Sequence, residues 1–445
     1  MEIIRYTDEG AKEKLDNFLS REEVDSEISA NVATILEKVR LFGDKAVSEL
    51  TQNFDEAFIE PGQSKVRDKE FSDAEKAIDP SFRASFDAAR NNIRKYYEMQ
   101  KRKNLRLANK KEGFLLEMTF NPIQTIGVYI PGGTAPLVST VLMTVVPAQC
   151  AGVKDIVVCT PPNVSAKIHP YILAACQFLG VKNVYKIGGA QAIAAMAYGT
   201  ETVPKVDKIF GPGNIYVSIA KSQVFGQVSV DLIAGPSEIV ILADDSADSD
   251  YLAADMISQA EHDRFSKSVL VTDSERLVQE TKTKIYQQLH DLPRREIAEE
   301  SIRDYCLIVL VEDIAHGVEI ANFLAPEHLE ILTKNPRKWV KGVRNAGTVL
   351  VGEYSPAVVG DFVAGPSHVL PTNRSARAFS GITLDDYMKK TNVIEFSAAS
   401  LARYITAIRA FSSVEGLDGH YRSAQIRLDK NKKKSKRDMH EKARH

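Results

Sequence analysis

The stretch from Ile126 to Gly152, IGVYIPGGTAPLVSTVLMTVVPAQCAG, decides the fold class. It opens with the short β-rich run IGVYI, passes through the turn PGGTAP and continues as the helical stretch STVLMTVVPAQCAG. No charged residue lies between Glu117 and Lys154, but prolines and glycines interrupt every run long enough to span a membrane. We therefore interpret the stretch as the buried strand, turn and helix of an α/β core.

The same alternation continues along the chain. A first series of strand-like runs contains DIVVCT, NVYKI and VDKIF, and a second contains EIVILAD, SKSVLVT, CLIVLVE, HLEILT and TVLVG. Helical stretches such as HPYILAACQFLG, DYLAADMISQAEH and AHGVEIANFL separate the runs. Strands joined by helical crossovers predict parallel sheets covered by helices on both faces. Two α/β units are therefore expected.

Both ends of the chain have a different pattern. The first 120 residues are predicted to be helical, because EISANVATILEKV places its apolar residues at helical spacing and SDAE, from Ser72 to Glu75, has the form of a capping box. The chain is predicted to turn helical again after about Asp386. The tail from Lys430, KNKKKSKRDMHEKARH, is a charge run without apolar periodicity and is predicted to be disordered.

Size and composition limit the possible functions. At 445 residues the chain exceeds the usual limit of a single core, so two or more domains are expected. The net charge of -2 gives no reason to expect nucleic acid as a partner. The four cysteines show no CxxC spacing and the N-terminal residues lack the features of a secretory signal, which together favour a cytoplasmic location.

Three glycine-rich turns follow strand-like runs of the first series: YIPGGTAP, GGAQAIAA and FGPGNIYV. Glycines between a strand and a helix allow backbone amides to approach a phosphate group near the positive end of the helix dipole. None of the three has the GxGxxG pattern, and each taken alone is equally consistent with a tight structural turn. Their expected position at the carboxyl edge of one sheet favours a nucleotide cofactor.

The segment SQAEHD, from Ser258 to Asp263, is predicted to lie in the middle of a helix, with Gln259 and His262 on one face. A solvated polar face explains such a pair as simply as a metal site does. Together with a distant aspartate, such as Asp361, and a distant histidine, for which His328, His368 and His420 are all candidates, the pair would supply the nitrogen and oxygen ligands that zinc accepts. Two imidazoles, one amide and one carboxylate would leave the ion with a net charge of +1.

Glu327 and His328 adjoin each other where a predicted strand begins. In a regular strand their side chains point to opposite faces, so one would be buried and the other exposed. Pro326 favours an extended conformation for Ala325. If both side chains serve one site, the backbone there must be irregular, and the two residues would then supply two general bases.

Eight long motifs, in this order, resemble the bacterial histidinol dehydrogenase family from about Ile3 to Leu428: YIPGGTAPLVSTVLM, GGAQAIAAMAYGTE, DKIFGPGNIYV, DLIAGPSEI, SQAEHD, LAPEHLE, GDFVAGPSHVLPT and EGLDGH. The resemblance implies a zinc-dependent, four-electron oxidation of L-histidinol to L-histidine by way of histidinaldehyde. Two NAD+ accept the electrons in these last steps of histidine biosynthesis. One Zn2+ per subunit and an intertwined homodimer are also implied, with neither a nucleic-acid nor a membrane partner.

The resemblance also implies a domain plan with two incomplete Rossmann-like parallel-sheet domains and small terminal helical segments. The plan assigns 1–25 to an N-terminal helical segment, 26–128 with 238–382 to a discontinuous α/β domain that carries the metal and catalytic residues, and 129–237 to the NAD-binding domain. Residues 383–429 would form a C-terminal helical segment that reaches the partner's active site, and 430–445 the disordered basic tail.

The resemblance assigns roles to individual residues as well. Glu327 and His328 would be catalytic, and His328 would also contact substrate. The implied zinc ligands, which also contact substrate, are Gln259, His262, Asp361 and His420. The other implied substrate contacts are Ser237, His368 and Glu415, and the implied NAD contacts are Tyr129, Gln191 and Asn214.

The chain departs from the family's pattern beside His368. Asn373 and Arg374 stand where many relatives have small residues, and Ser367 stands where asparagine is frequent. These departures bear on substrate preference, because some relatives oxidise other alcohols. Two alternatives from other classes are a zinc hydrolase, in which Glu327 activates water without NAD, and a metal-binding structural protein without catalysis.

Overall fold

The structure, a computed structural model, describes residues 1–19, 26–109, 111–132 and 136–442. The strands are, in chain order, β1 (Glu2–Arg5), β2 (Leu105–Asn109), β3 (Phe114–Pro122), β4 (Thr125–Tyr129), β5 (Asp155–Thr160), β6 (Asn183–Lys186), β7 (Lys208–Phe210), β8 (Ser229–Val230), β9 (Glu238–Ala243), β10 (Lys267–Thr272), β11 (Cys306–Leu310), β12 (His328–Leu332), β13 (Thr348–Val351) and β14 (Met388–Phe396).

The helices are α1 (Ala11–Leu19), α2 (Ser26–Asp55), α3 (Asp68–Ala77), α4 (Pro80–Glu98), α5 (Val138–Ala151), α6 (Pro170–Phe178), α7 (Gly189–Tyr198), α8 (Ile215–Val224), α9 (Ser249–Ala260), α10 (Glu275–Leu289), α11 (Arg295–Tyr305), α12 (Ile314–Leu324), α13 (Pro336–Trp339), α14 (Ala357–Phe362), α15 (Ala398–Val414) and α16 (Asp418–Lys442). Short 3-10 turns occur at Val340–Gly342, Ser375–Arg377 and Leu384–Tyr387. Within the described residues, no helix is both long and apolar enough to cross a membrane.

The alternation of strands and helices builds two parallel sheets, as predicted. The five-stranded sheet has the order β6-β5-β4-β7-β8, and the six-stranded sheet has the order β1-β11-β10-β9-β12-β13. All neighbouring strands in both sheets run parallel. Their continuous apolar runs, such as β9 with every residue buried, reflect coverage by helices on both faces. The α/β fold class is therefore confirmed.

The chain forms two compact units, of which the first, Met1–Lys101 with Ile123–Tyr387, contains both parallel sheets. The helical prediction for residues 1–25 misses β1, whose backbone pairs with β11 at the sheet edge and buries Ile4. Residues 20–25 of that segment lie outside the described residues. A strand of four residues is too short to show a clear period, which explains the error.

Helix α2 packs on the five-stranded sheet, whereas the domain plan grouped residues 26–128 with the six-stranded sheet. Its buried residues Val32, Val39 and Leu50 share one apolar cluster with Ile193 and Val217 from the helices of the five-stranded sheet. An amphipathic pattern shows that one face is buried, but it does not identify the surface that covers it. The boundary at residue 129 also cuts through β4, which starts at Thr125.

Helix α3 differs from its prediction at its start. It begins at Asp68, where the Glu70 carboxylate accepts a hydrogen bond from the Arg67 amide at 3.0 Å. The predicted capping serine, Ser72, therefore lies inside the helix, and its hydroxyl donates to the Asp68 carbonyl.

The second compact unit, Arg102–Pro122 with Met388–His445, contains an antiparallel sheet in the order β14-β3-β2 followed by α15 and α16. All three strands fall largely where helices were expected. The side chains of β2 and β14 are mostly exposed and those of β3 are half-buried, so none of the strands shows a buried alternating face. The predicted disordered tail differs too, since α16 continues to Lys442. Lysine, arginine and glutamate are good helix formers, and no glycine or proline follows Gly419.

Candidate active site

The first group of predicted residues gathers at the amino edge of the six-stranded sheet, where β9 and β12 begin. Glu327 precedes β12, and its Oε2 accepts the backbone N–H of Glu238 at 2.9 Å. The hydroxyl of Ser237, the residue before β9, also hydrogen-bonds this carboxylate. The Glu327 backbone carbonyl accepts the N–H of Thr348 at 2.9 Å, so the entry to β13 fixes the same residue.

Glu327 and His328 are both buried, at 6% and 4% exposure, and their side chains lie close to each other. The distance from His328 Nδ1 to Glu327 Oε2 is 3.8 Å. The alternative with one side chain exposed is therefore wrong. Ala325 also differs from its extended prediction: its φ of 48° is left-handed, because it ends α12 by donating its N–H to the Ala321 carbonyl. This irregular turn is what allows the two side chains to meet.

His328 lies between two carboxylates. Its Nε2 is 3.5 Å from Asp361 Oδ1, on α14, and its Nδ1 has no hydrogen-bond partner among the described residues. Burial alone would lower the pKa of His328, but the charges of Glu327 and Asp361 outweigh it and raise the pKa to about 9. Burial raises the pKa of Glu327 to about 7, against the opposing charge of His328 and the hydrogen bonds it accepts. The contact with His328 holds the pKa of Asp361 below its usual value despite burial.

His368 is held in one tautomer. Its Nδ1 lies 3.1 Å from the Asp361 backbone carbonyl, which can only accept, so Nδ1 carries the proton. Its Nε2 is 3.2 Å from Thr140 Oγ1, and it therefore accepts the hydroxyl proton of that α5 residue. Burial lowers the pKa of His368, which favours the neutral ring. Thr140 was not among the predicted site residues.

Gln259 and His262 occupy the end of α9 rather than its middle. Gln259 lies in the last turn and is buried at 4% exposure, and His262 follows the C-terminal cap, Glu261. Asp263 stops the helix, because its Oδ1 accepts the N–H of Phe265 at 3.0 Å in a tight turn. His262 is exposed, but neighbouring protein atoms lie close enough that burial lowers its pKa, against the charge of Asp361.

The other two predicted ligand and substrate residues belong to the second compact unit. Glu415 caps the end of α15, and His420 lies in the first turn of α16; both are exposed. His420 also lines an open cavity of about 600 Å³ together with Leu401, Ile408 and Arg427 of the same unit. The first unit thus brings together Ser237, His262, Glu327, His328, Asp361 and His368, and it also contains Gln259, three residues before His262.

The described residues contain no group of three or more His, Cys, Asp or Glu side chains arranged to hold a metal ion. The predicted ligands explain this result, since only His262 and Asp361 in the first unit belong to those residue types. Gln259 adds an amide oxygen, and the fourth predicted ligand, His420, lies in the second unit. The chemistry of this donor set, nitrogen and oxygen without thiolate, nevertheless fits zinc.

The second group of predicted residues lies at the carboxyl edge of the five-stranded sheet. Tyr129 ends β4, and its hydroxyl accepts the N–H of Gly189 at 3.1 Å, at the start of α7. Gln191 is buried in the first turn of α7, with its amide nitrogen 3.5 Å from Asp55 Oδ2. Burial raises the pKa of Asp55, a residue that was not predicted, to about 6.

The turn FGPGN leads from β7 into α8 at the same edge. Asn214 caps α8 by accepting the N–H of Val217 at 3.2 Å, and it is exposed. A buried ion pair holds the turn: Lys221 donates to the Gly211 carbonyl at 3.0 Å and contacts Asp231, whose Oδ2 accepts the Gly211 N–H at 2.8 Å. In the turn YIPGGTAP, residues 133–135 lie outside the described residues.

The residues that the sequence did not predict fall into two groups. Asp55 and Thr140 touch a predicted residue from an element distant in the chain, whereas Lys221 and Asp231 hold the turn at Gly211 from 10 and 20 positions further along. Glu330 is different, because a carboxylate two residues after His328 in the apolar run HLEIL marks the same strand face and was visible in the sequence.

Comparison with known proteins gives one consistent result. The profile of the family described as histidinol dehydrogenase matches residues 19–428. The histidinol dehydrogenase of Bacillus subtilis (strain 168) is 46% identical over 396 residues, which cover 89% of this chain and 92% of that protein. That of Heliobacterium mobile is 44% identical over 416 residues, or 93% of this chain and 97% of that protein.

A solved structure agrees with these relatives. The crystal structure of histidinol dehydrogenase from Elizabethkingia anophelis matches with a TM-score of 0.90 and 35% identity. The match covers 97% of this chain and 99% of that one.

Proposed function

This chain belongs to the histidinol dehydrogenase family, and from that premise we propose that it oxidises L-histidinol to L-histidine through histidinaldehyde, the last steps of histidine biosynthesis. The observation that carries the proposal is the buried array of Glu327, His328 and Asp361, joined by distances of 3.8 and 3.5 Å. Such an array supplies two proton acceptors of different chemistry beside one reacting carbon. The reaction consumes two NAD+, which accept one hydride in each oxidation.

Gln259, His262, Asp361 and His420 would hold one Zn2+ per subunit. When bound, zinc supplies a positive charge and a template that orients the imidazole and amino groups of the substrate. Ser237, His368 and Glu415 would complete the substrate contacts. Tyr129, Gln191 and Asn214 would contact NAD, with the N-termini of α7 and α8 favouring its phosphates.

His328 is the proton acceptor of the first oxidation. Asp361 accepts from its Nε2, which leaves Nδ1, the nitrogen without a partner, to take the hydroxyl proton. Two neighbouring carboxylates raise the pKa of His328 to about 9. If Asp361 held a metal ion, part of that effect would be lost, and the neutral imidazole of His328 would be available at lower pH.

Glu327 is the base that activates water for attack on the aldehyde. With its pKa raised to about 7, chiefly by burial, its carboxyl can gain and lose a proton near neutral pH. His328 then removes a hydroxyl proton from the resulting hydrate in the second oxidation. The buried surroundings of both residues protect the aldehyde from side reactions with solvent.

We also propose an intertwined homodimer in which Glu415 and His420 of one chain complete the site of the other. The exposed apolar side chains of the second unit, among them Ile394, Phe411 and Val414, support an interface there. Mixing His328→Asn subunits with His420→Ala subunits, each strongly impaired alone, should restore part of the activity. Absence of any recovery in verified mixed dimers would contradict the shared site. A cytoplasmic location remains the prediction, in keeping with four buried free cysteines.

The experiment that tests the proposed function counts NADH formed per L-histidinol consumed under excess NAD, before and after chelation and return of zinc. Two NADH per substrate, lost on chelation and restored by zinc, are expected. One NADH would indicate a relative that stops at a carbonyl compound. Turnover without nicotinamide would support the zinc hydrolase, and a metal-dependent melting shift without any reaction would support the structural protein.

A further inference from the structure

A second pair of acidic side chains, Asp255 and Glu330, lies next to the array of Glu327, His328 and Asp361. Glu330 is on β12, two residues after His328, so both side chains lie on the same face of the strand. Glu330 is 1% exposed, and Asp255, on α9, is half-buried. Neither residue has a role in the proposed reaction.

The surroundings of the Glu330 carboxyl indicate that it shares a proton with Asp255. Its Oε1 accepts the N–H of Ala357 at 2.6 Å, whereas its Oε2 has no donor among the described residues. The carboxyl of Asp255 is its hydrogen-bonding neighbour. Two ionised carboxylates in contact repel each other, the more strongly because Glu330 is fully buried, so one of the pair holds a proton and donates it to the other. In agreement, burial raises the pKa of Asp255 to about 6 and that of Glu330 well above its usual value.

The pair connects three elements of the candidate site. Asp255 is four residues, about one helical turn, before Gln259 on α9. Ala357 is the first residue of α14 and lies four residues before Asp361. Glu330 itself belongs to the strand that begins with His328. One chain of two hydrogen bonds thus runs from the helix of Gln259, through the strand of His328, to the helix of Asp361.

We propose that the carboxyl pair of Asp255 and Glu330, joined by one shared proton, is a positioning device that sets Gln259, His328 and Asp361 at their working separations. Its consequence for metal binding rests on the proposed function. Groups that orient ligands without touching the ion contribute on the order of 10-fold to 100-fold to metal affinity. Neither Asp255 nor Glu330 is itself a catalytic residue.

The test uses the full-length protein loaded with Co2+, whose visible absorption reports ligand geometry, and Zn2+ affinity measured by competition with a chromophoric chelator. Glu330→Leu keeps the approximate volume but removes both hydrogen bonds. Glu330→Gln keeps both without a shared proton, since its carbonyl accepts from Ala357 and its amide donates to Asp255. Ile285→Ala is the control, because it removes buried packing in α10, a helix that carries neither member of the pair.

Glu330→Leu is expected to weaken Zn2+ binding by roughly 10-fold to 100-fold and to alter the Co2+ spectrum, whereas Glu330→Gln should stay within about threefold of wild type. Ile285→Ala should lower the melting temperature without changing either metal readout. The positioning role is overturned if Glu330→Leu behaves like Ile285→Ala, or if Glu330→Gln is as damaging as Glu330→Leu. Wild-type protein that binds neither ion would instead overturn the proposed metal site, since neither readout requires substrate turnover.

Discussion

The two parallel sheets carry their predicted functional residues at opposite edges. In the five-stranded sheet, Tyr129, Gln191 and Asn214 lie at the carboxyl edge, after β4, β6 and β7. In the six-stranded sheet, Ser237 and Glu327 lie at the amino edge, before β9 and β12. Ligands of open α/β sheets usually bind at the carboxyl edge, so only the first sheet follows the common rule.

The difference follows from the direction of the helices. After each strand of a parallel sheet, the next helix starts at the carboxyl edge and runs back to the amino edge. Helices α7 and α8 therefore direct their positive N-terminal ends towards the predicted nucleotide contacts, where phosphates are favoured. Helices α9 and α12 end at the amino edge, next to His262 and Glu327, where their negative ends favour cations. One architecture thus supplies an anion edge and a cation edge.

The two edges also differ in the groups they use. The carboxyl edge holds its turns with backbone amides, the Tyr129 hydroxyl and one fully buried ion pair. The amino edge concentrates titratable groups whose pKa values are shifted by burial and by one another. We infer that the first edge is built for binding and the second for proton transfer.

The largest expected effect is that of His328→Asn, which removes the proton acceptor of the amino edge. Both oxidations should slow by a factor on the order of 10² to 10⁴, measured with histidinol and with histidinaldehyde in separate assays. Glu327→Gln is the matched variant, and it should slow mainly the oxidation of the aldehyde. Equal losses in both steps for Glu327→Gln would contradict the division of roles between the two residues.

The next effect concerns the carboxyl edge. Lys221→Met leaves the Asp231 carboxylate, 1% exposed, without its cation, and the free energy of unfolding should fall by roughly 3–5 kcal/mol in urea titrations. The double variant Lys221→Met with Asp231→Asn removes the charge but keeps an acceptor for the Gly211 amide, so it should recover much of the loss. NADH affinity should also fall in Lys221→Met and recover in the double variant, which would confirm that the ion pair holds the turn. If Lys221→Met is as stable as wild type, the ion pair does not stabilise the turn, and the contrast drawn between the two sheet edges is wrong.

The sequence predicted the strands and turns of both edges, because strand runs, glycine turns and polar residues are local patterns. It could not predict which sheet α2 covers, since Val32 and Leu50 indicate only a buried face. It misplaced His262 inside α9, because the Asp263 turn that ends the helix depends on hydrogen bonds rather than on glycine or proline.

Asp55, one of the residues that sequence reasoning missed at the carboxyl edge, acts at long range. Asp55 lies at the end of α2, 136 positions from Gln191, and nothing in the run TQNFDEAF distinguishes it from a surface residue. Its significance arises only when the fold brings it beside Tyr129 and Gly188. Asp55, whose pKa is raised by burial, therefore does not fit the description of the carboxyl edge as built for binding alone.

The smallest expected effect is that of Asp55→Asn on the pH dependence of stability in the protein without NAD. Burial raises the pKa of Asp55 from 3.8 to about 6, so the folded state favours the protonated carboxyl. This contribution is fully present below about pH 3.8 and is lost as the pH rises through about 6. Because Asp55 is only half-buried, we expect roughly 1–2 kcal/mol, less than the full value for a shift of this size.

Urea unfolding at pH 5 and pH 7.5, on the order of one unit on either side of the shifted pKa, measures this effect for Asp55. From pH 5 to pH 7.5, the free energy of unfolding of wild type should fall relative to that of Asp55→Asn. The control Asp73→Asn, at an exposed site, should behave like wild type. NADH should also bind Asp55→Asn more tightly than wild type at pH 7.5 only, because a carboxylate ionised at that pH repels the cofactor's phosphates. A stability difference that is the same at both pH values would mean that Asp55 is already ionised at pH 5. The carboxyl edge would then hold a permanent negative charge beside its anion site, and helix direction alone would not explain how the two edges divide their work.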